Sequence, residues 1–343
     1  MKFRLISACL ALAVLAGCSQ NKAGTAETTS SPASKELFAM DTYITLTAYG
    51  DGAEAALDEA AAKITEIEKR LSVTETDSDI NMINSKAGSA VTVSEDTVNI
   101  INTALDFGRS TEGALDITVY PVLKEWGFTT GDYKIPDDET IDSLLEKVDY
   151  SKVSVEGTKV TIPEGSMIDT GAVTKGYTGD CLAEIFKSAG IDSALINLGG
   201  NVQTVGTKPD GSKWVVGIQD PLNTDSYVGT LETADKAVIT SGNYERFFTG
   251  EDGKNYWHIL DPKTGKPADK GIISATIIGN KGIDCDALST SLFVLGTEAA
   301  IDYWKAHSND FDVILVTDDN KLYLSSDLKD SFTQTSSYEI NYI

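Results

Sequence analysis

The chain has 343 residues and carries 28 Lys and Arg against 52 Asp and Glu, a formal net charge of −24. So acidic a chain excludes a nucleic-acid binder and a protein held on anionic lipid by charge, whereas a phosphate ligand stays open to it if a cation comes too. With 41% hydrophobic residues over this length, one large domain with a sizeable core is expected.

In chain order, Lys2 and Arg4 precede the apolar run LISACLALAVLAGC, too short and wrongly flanked for a spanning helix and therefore a secretory signal. Its end, LAGC, resembles a bacterial lipoprotein signal. That resemblance implies a signal peptide over 1–17, a lipidated Cys18, and an extracytoplasmic protein anchored to the cell membrane by lipid alone. Residues 18–35 then form the lipidated Cys and a flexible tether of Ser, Thr and Ala, and the folded domain is expected over 36–343.

DTYITLTAY (41–49) alternates as a strand with one buried face, and Ala56, Leu57, Ala60, Ile64, Ile67 and Leu71 follow at helical spacing. The polar stretch 72–88 reads as loop with a short turn, and TVNIINTALDFGRSTEG as a second helix ending near Gly113. KVSVEGTKVTIP is a hairpin signal around Glu156-Gly157-Thr158. TKGYTGDCLAEIFKSAG is helical and stopped by Gly190, and SALINLGGN is a buried strand entering a glycine turn. KWVVGIQDP, KAVITSG, DVILVT and KLYLSS are further strands, with a helix at TEAAIDYWKAH. Strands and helices without strict alternation predict an α+β fold, and neither G-x-G-x-x-G nor G-x-x-x-x-G-K-[ST] is present. Cys181 and Cys285 are expected as two small buried residues, and their spacing does not decide whether they pair.

Three stretches carry candidate chemistry. In GIDCDALSTSLFVLG (282–296), Asp286 and Thr290 stand four residues apart on one helix face, which suits a hard cation; equally, Asp284 or Asp286 caps the helix and Ser289 and Thr290 bond to the preceding turn. IDTGAVTKGYTGD (168–180) places Asp169 and Lys175 at a strand-to-helix junction, where backbone N–H groups and a lysine can meet phosphate. His258 ends a strand before a turn built by Asp261, Pro262 and Gly265, either facing a cleft or satisfied within the fold. His307, the second histidine, is expected exposed at a helix end.

Taken in order, GALDITVYPVLKEWGF (113–128), DTGAVTKGYTGD (169–180), ALINLGGNVQTVG (194–206), VVGIQDP (215–221), AVITSGNYERFF (237–248), HILDPKTGKP (258–267) and DALSTSLFVLG (286–296) resemble the successive motifs of the ApbE family of FAD:protein FMN transferases. The resemblance implies an enzyme that uses Mg²⁺ to transfer FMN from FAD to a Thr or Ser hydroxyl of an extracytoplasmic protein, such as a flavin-carrying subunit of a membrane redox complex, with release of AMP. By the same resemblance Asp286, Thr290 and the Ala172 carbonyl hold the metal. Met40, Ala114, Leu115, Asp116, Asp169, Lys175 and Leu260 contact FAD. His258 takes the proton from the incoming hydroxyl, and Asp261 orients it.

Three positions depart from the family. Ser289 stands where some members have an acid, Thr74 where many have an aromatic ring against the flavin, and Asp41 where others have glycine. The missing ring keeps an alternative in view, an Mg²⁺-dependent FAD pyrophosphatase producing FMN and AMP. The signal, tether and acidic surface also fit a tethered flavin-binding lipoprotein without turnover.

Overall fold

A computed structural model describes residues 31–343; the signal peptide and Cys18 lie outside the described residues. Its helices are α1 (Ala53–Leu71), α2 (Asp79–Ser85), α3 (Glu95–Ser110), α4 (Tyr120–Glu125), α5 (Asp138–Leu145), α6 (Gly171–Ser188), α7 (Gly282–Leu295) and α8 (Thr297–Ala306). Nine strands form one sheet in which spatial order follows chain order: Ala33–Ala39, Thr42–Tyr49, Ser193–Leu198, Asn201–Gly206, Ala237–Gly242, Ile272–Gly279, Asp312–Thr317, Lys321–Leu324 and Glu339–Tyr342. All neighbours run antiparallel except the last pair. The expected α+β class is the one observed, and pairing begins at Ala33, opposite Ala48, inside the segment expected as tether.

Both faces of the sheet are covered, which is why its central strands read as continuous apolar runs. On one face, Val216, Ile218, Val228, Leu231 and Phe332 of a small three-stranded sheet pack on Val238, Ile273, Ile278, Ile314 and Val316. On the other, α1 and α6 cover Ile44, Leu46 and Ile196, and α7 covers Ala237, Ile239, Ala275 and Ile277. Since α7 is wedged between α6 and the sheet, its apolar residues are not confined to one stripe: Ile283, Cys285, Ala287, Leu288, Leu292, Phe293 and Val294 are all buried.

Some elements differ from expectation for local reasons. The stretch 72–88 contains α2, because Ser78 accepts from Asn81 N at 2.9 Å and Ile80 and Ile83 bury one face. Helix α3 stops at Ser110, with Glu112 and Gly113 in the left-handed region beyond it. Cys285 is buried, Cys181 is half-buried, and both are free thiols.

The N-terminus of α7 is capped from another helix. Asp180 of α6 accepts from Gly282 N at 2.6 Å, Ile283 N at 3.0 Å and Gln203 Nε2 at 3.0 Å, so its carboxylate meets the positive end of α7. This approach needs glycine on both sides. A Cβ on Gly176 would collide with the Gly282 carbonyl and lie 2.7 Å from Asp286 Cβ; one on Gly282 would collide with the Gly176 carbonyl. Gly176→Ala is therefore expected to lower stability by about 1–3 kcal/mol through overpacking, read as a reduced urea midpoint. An unchanged midpoint would mean that α6 and α7 can separate freely.

Candidate active site

Asp286, 4% exposed, is the most constrained polar group of the site. Its Oδ2 accepts from Gly176 N at 2.8 Å and its Oδ1 from Asn201 Nδ2 at 3.1 Å. Asn201 follows the two-residue turn Gly199-Gly200, both at positive φ, which closes the hairpin Ser193–Leu198/Asn201–Gly206. Burial raises the Asp286 pKa to about 6, offset in part by the charge of Lys175 and by the Gly176 and Asn201 hydrogen bonds. Asp286 has no cationic side chain at contact distance among the described residues. It does not cap α7 either, since Asp180 does.

One turn on, the Thr290 hydroxyl lies 3.2 Å from Ser241 Oγ. Ser289 is engaged elsewhere: its hydroxyl is 2.8 Å from Ser241 Oγ and bonds the Asp286 carbonyl at 2.9 Å. Ala172 is the second residue of α6, four residues before Gly176. The N–H that closes a regular first turn on the Ala172 carbonyl is thus the one donated to Asp286. A buried carboxylate, a hydroxyl and a helix-end carbonyl are hard oxygen donors, and the lack of a cationic partner for Asp286 suits a divalent cation of the Mg²⁺ kind.

His258 stands beyond the hairpin Phe247–Thr249/Asn255–Trp257. Its Nδ1 is 3.2 Å from the Arg246 carbonyl, which also accepts from His258 N at 3.0 Å. A carbonyl only accepts, so Nδ1 carries the proton and Nε2 keeps its lone pair. Burial, then the charges of Arg246 and Lys175, lower its pKa to about 3, against a small opposing effect of the carbonyl bond. Lys175 also acts on Asp286 and Glu245, and Arg246 on Asp169, so these groups lie within electrostatic range of one another. Desolvation raises the pKa of Asp169, against the opposing Gly171 N–H bond and the charge of Arg246. Asp169 Oδ1 accepts from Gly171 N at 2.8 Å at the start of α6.

The other expected site residues divide by what their side chains do. Met40 and Asp41, at φ 52° and 57°, form the tight turn between Ala33–Ala39 and Thr42–Tyr49. Aspartate tolerates this region better than most residues, which accounts for its place where relatives have glycine. Thr178 of α6 donates to Met40 Sδ at 3.8 Å, so this turn borders the metal-side helix. Ala114 and Leu115 are buried in the core, and Leu260 packs with Val122, Trp126 and Phe128. Asp116 is engaged inside the fold: it accepts from Thr118 N at 2.8 Å, Thr118 Oγ1 at 2.5 Å and Tyr150 N at 3.1 Å. The segment nevertheless adjoins the site, since Asp169 N donates to the Ile117 carbonyl at 2.9 Å.

Asp261 does not orient His258. Its oxygens accept from Lys263 N at 2.9 Å and pair with Lys270 Nζ at 2.8 Å, and the Arg246 carbonyl holds the imidazole instead. Thr74 is exposed and bonded to Ser72, with no ring in its place. His307 stacks on Tyr303 at 4.3 Å, away from these residues. Ser241, Glu245 and Arg246 carry no periodicity or spacing signal; only the polar interruption SGNYER at a strand end marks them.

A buried carboxylate and a histidine held neutral, both under the charge of Lys175, suit an enzyme site for group transfer. The chain belongs to the ApbE family, whose sequence profile matches residues 40–315. Among its relatives are the FAD:protein FMN transferases of Vibrio cholerae (31% identical, 77% of this chain and 80% of the relative) and Klebsiella pneumoniae (33%, 78% and 86%). The crystal structure of the ApbE protein of Thermotoga maritima is similar with a TM-score of 0.82 at 30% identity, covering 87% of this chain and 98% of that one. The flavin transferase ApbE of Vibrio cholerae follows with 0.78 at 27%, covering 88% and 100%.

The raised pKa of Asp286 makes cation binding depend on pH. Binding needs the carboxylate, and below about 6 a growing fraction is protonated, so divalent-cation affinity is expected to fall as pH falls, approaching about tenfold per unit well below that value. Titration calorimetry with Mg²⁺ and Mn²⁺ between pH 5 and 8, each range point set in roughly half-unit steps, reads this directly. An affinity flat across that range would show that Asp286 is not a ligand.

Proposed function

We propose that this ApbE-family enzyme transfers FMN from FAD to a Thr or Ser hydroxyl of an extracytoplasmic protein and releases AMP. The observation that carries the proposal is His258, with Nδ1 on the Arg246 carbonyl and the Nε2 lone pair left to accept, under the charge of the same Lys175 that acts on Asp286. Family membership and the relatives' names support flavin transfer as the reaction.

Asp286, Thr290 and the Ala172 carbonyl would hold Mg²⁺, which supplies charge neutralisation across the diphosphate when bound. Lys175 adds a second positive charge near the start of α6. His258 Nε2 takes the proton of the acceptor hydroxyl; that oxygen bonds to the FMN phosphorus, and the bond to the AMP phosphate oxygen breaks. In the free site Arg246 and Lys175 keep His258 unprotonated and able to accept. The negative diphosphate offsets those charges and raises its proton affinity when the substrate is in place. Lipidation at Cys18 would keep the enzyme beside membrane-bound acceptors, such as the flavin-carrying subunits of redox complexes.

Mature protein incubated with FAD, Mg²⁺ and such a subunit is expected to give an FMN adduct by intact mass. His258→Ala is expected to lower the transfer rate by about 10²–10⁴-fold while FAD stays bound. AMP release at one rate with or without acceptor, and no adduct, would favour the pyrophosphatase activity that the open position at Thr74 allows. FAD bound and never cleaved would leave only a carrier.

A further inference from the structure

The three arginines of the described residues are used differently. Arg70 pairs with Glu66 and Asp96, and Arg109 with Asp106. Arg246 makes no ion pair at contact distance among the described residues; its Nη2 donates to the Phe128 carbonyl at 2.7 Å. Its own carbonyl receives both the amide and Nδ1 of His258. The Phe128 ring then closes the circuit, edge-on to the imidazole with centroids 6.3 Å apart and planes at 62°.

We propose that Arg246 is a positioning residue for His258, closing a ring of contacts through Phe128 that fixes the plane and tautomer of the imidazole. Its side chain determines where its own carbonyl sits, because the guanidinium ties the hairpin to the segment after α4. That segment ends in the turn at Gly127, φ 85°, closed by Gly131 N on the Gly127 carbonyl at 2.8 Å. Without the tie, ring packing such as Phe128 on Phe248 at 5.7 Å would hold the two pieces together, and such packing permits sliding that a charged hydrogen bond does not. Glutamine cannot reproduce the length, charge and fork of arginine.

The charged groups around His258 make the effect measurable. Arg246 and Glu245 come from the segment just before its own hairpin, Lys175 from α6, and Asp169 from the residues preceding α6, while Asp261 is turned to Lys270. Arg246 and Lys175 both disfavour the imidazolium. Loss of Arg246 removes one of these charges, so His258 is expected to gain a proton at higher pH.

The chain has only two histidines, His258 and His307, so ¹⁵N-histidine NMR of the whole mature protein resolves the question. The wild type is expected to show one neutral His258 tautomer, protonated on Nδ1. In Arg246→Gln a mixture of tautomers should appear and the His258 titration should move up by about one pH unit or more. Arg246→Lys, which keeps the charge, should restore most of the titration. The His307 signals serve as a folding reference and should not change. Turnover of FAD to AMP should fall about tenfold in Arg246→Gln with KM for FAD within about twofold.

An unchanged His258 tautomer and titration in Arg246→Gln would overturn the proposal, as would a loss confined to KM. Should Arg246→Gln not fold, Arg246→Lys with wild-type tautomer and turnover supports it, and Arg246→Lys that loses the tautomer while keeping full turnover overturns it. The kinetic step rests on His258 as proton acceptor, but the NMR result does not. If wild-type protein gives no FMN adduct, the transfer reading fails while the positioning of His258 is still decided by its spectrum.

Discussion

The Asp286 carboxylate, buried between the Gly176 N–H and the Asn201 amide, is the constraint around which the rest of the site is organised. An isolated buried anion is costly, and a neutral residue of similar volume would pack at least as well. To hold it, α6 and α7 must approach closely enough that neither Gly176 nor Gly282 can carry a Cβ. The same approach lets Asp180 cap α7 and brings the Gly176 N–H to the Asp286 carboxylate. One local requirement therefore fixes helix packing, helix capping and the donor set for a cation.

Much of this was legible where regular periodicity operates. Helices α1, α3 and α6 and most long strands follow from apolar spacing, and the α+β class follows from their order. Legibility failed in three physically distinct ways. Helix α7 is covered on nearly all sides, so no stripe marks its orientation, and its cap comes from Asp180, 102 residues away. Helices α2 and α5 are short and depend on single capping residues, Ser78 and Asp137, inside polar stretches. Roles also changed hands: the carbonyl of Arg246 holds His258, while Asp261 pairs with Lys270. A backbone acceptor leaves no signature in composition, so a nearby carboxylate is the natural but mistaken choice.

Resemblance and geometry contributed different things. Three of the ordered motifs meet in space, since Asp286 accepts from Gly176 N and Asn201 Nδ2, which belong to two other blocks. They could not separate residues that face a ligand from residues that support the fold. Asp116 illustrates this: its carboxylate is engaged by Thr118 and Tyr150, so any contact with a dinucleotide there falls to the backbone of the segment. Ser289 is another such case, its hydroxyl bonded to Ser241 and to the Asp286 carbonyl.

Desolvation moves the two principal titrating groups in opposite directions with one result. It raises the Asp286 acid to about 6 and lowers the His258 base to about 3, each a shift towards the neutral form, though near neutral pH Asp286 is still mostly ionised while His258 is neutral. A divalent cation beside Asp286 would favour its ionised form further, and a diphosphate would favour protonated His258. Before that, a neutral His258 with a free Nε2 can accept a proton but has little drive to hold it, which limits reaction of the free site with water. The positive charges of Lys175 and Arg246 add to the lowering of the His258 pKa, and bound phosphates would offset them.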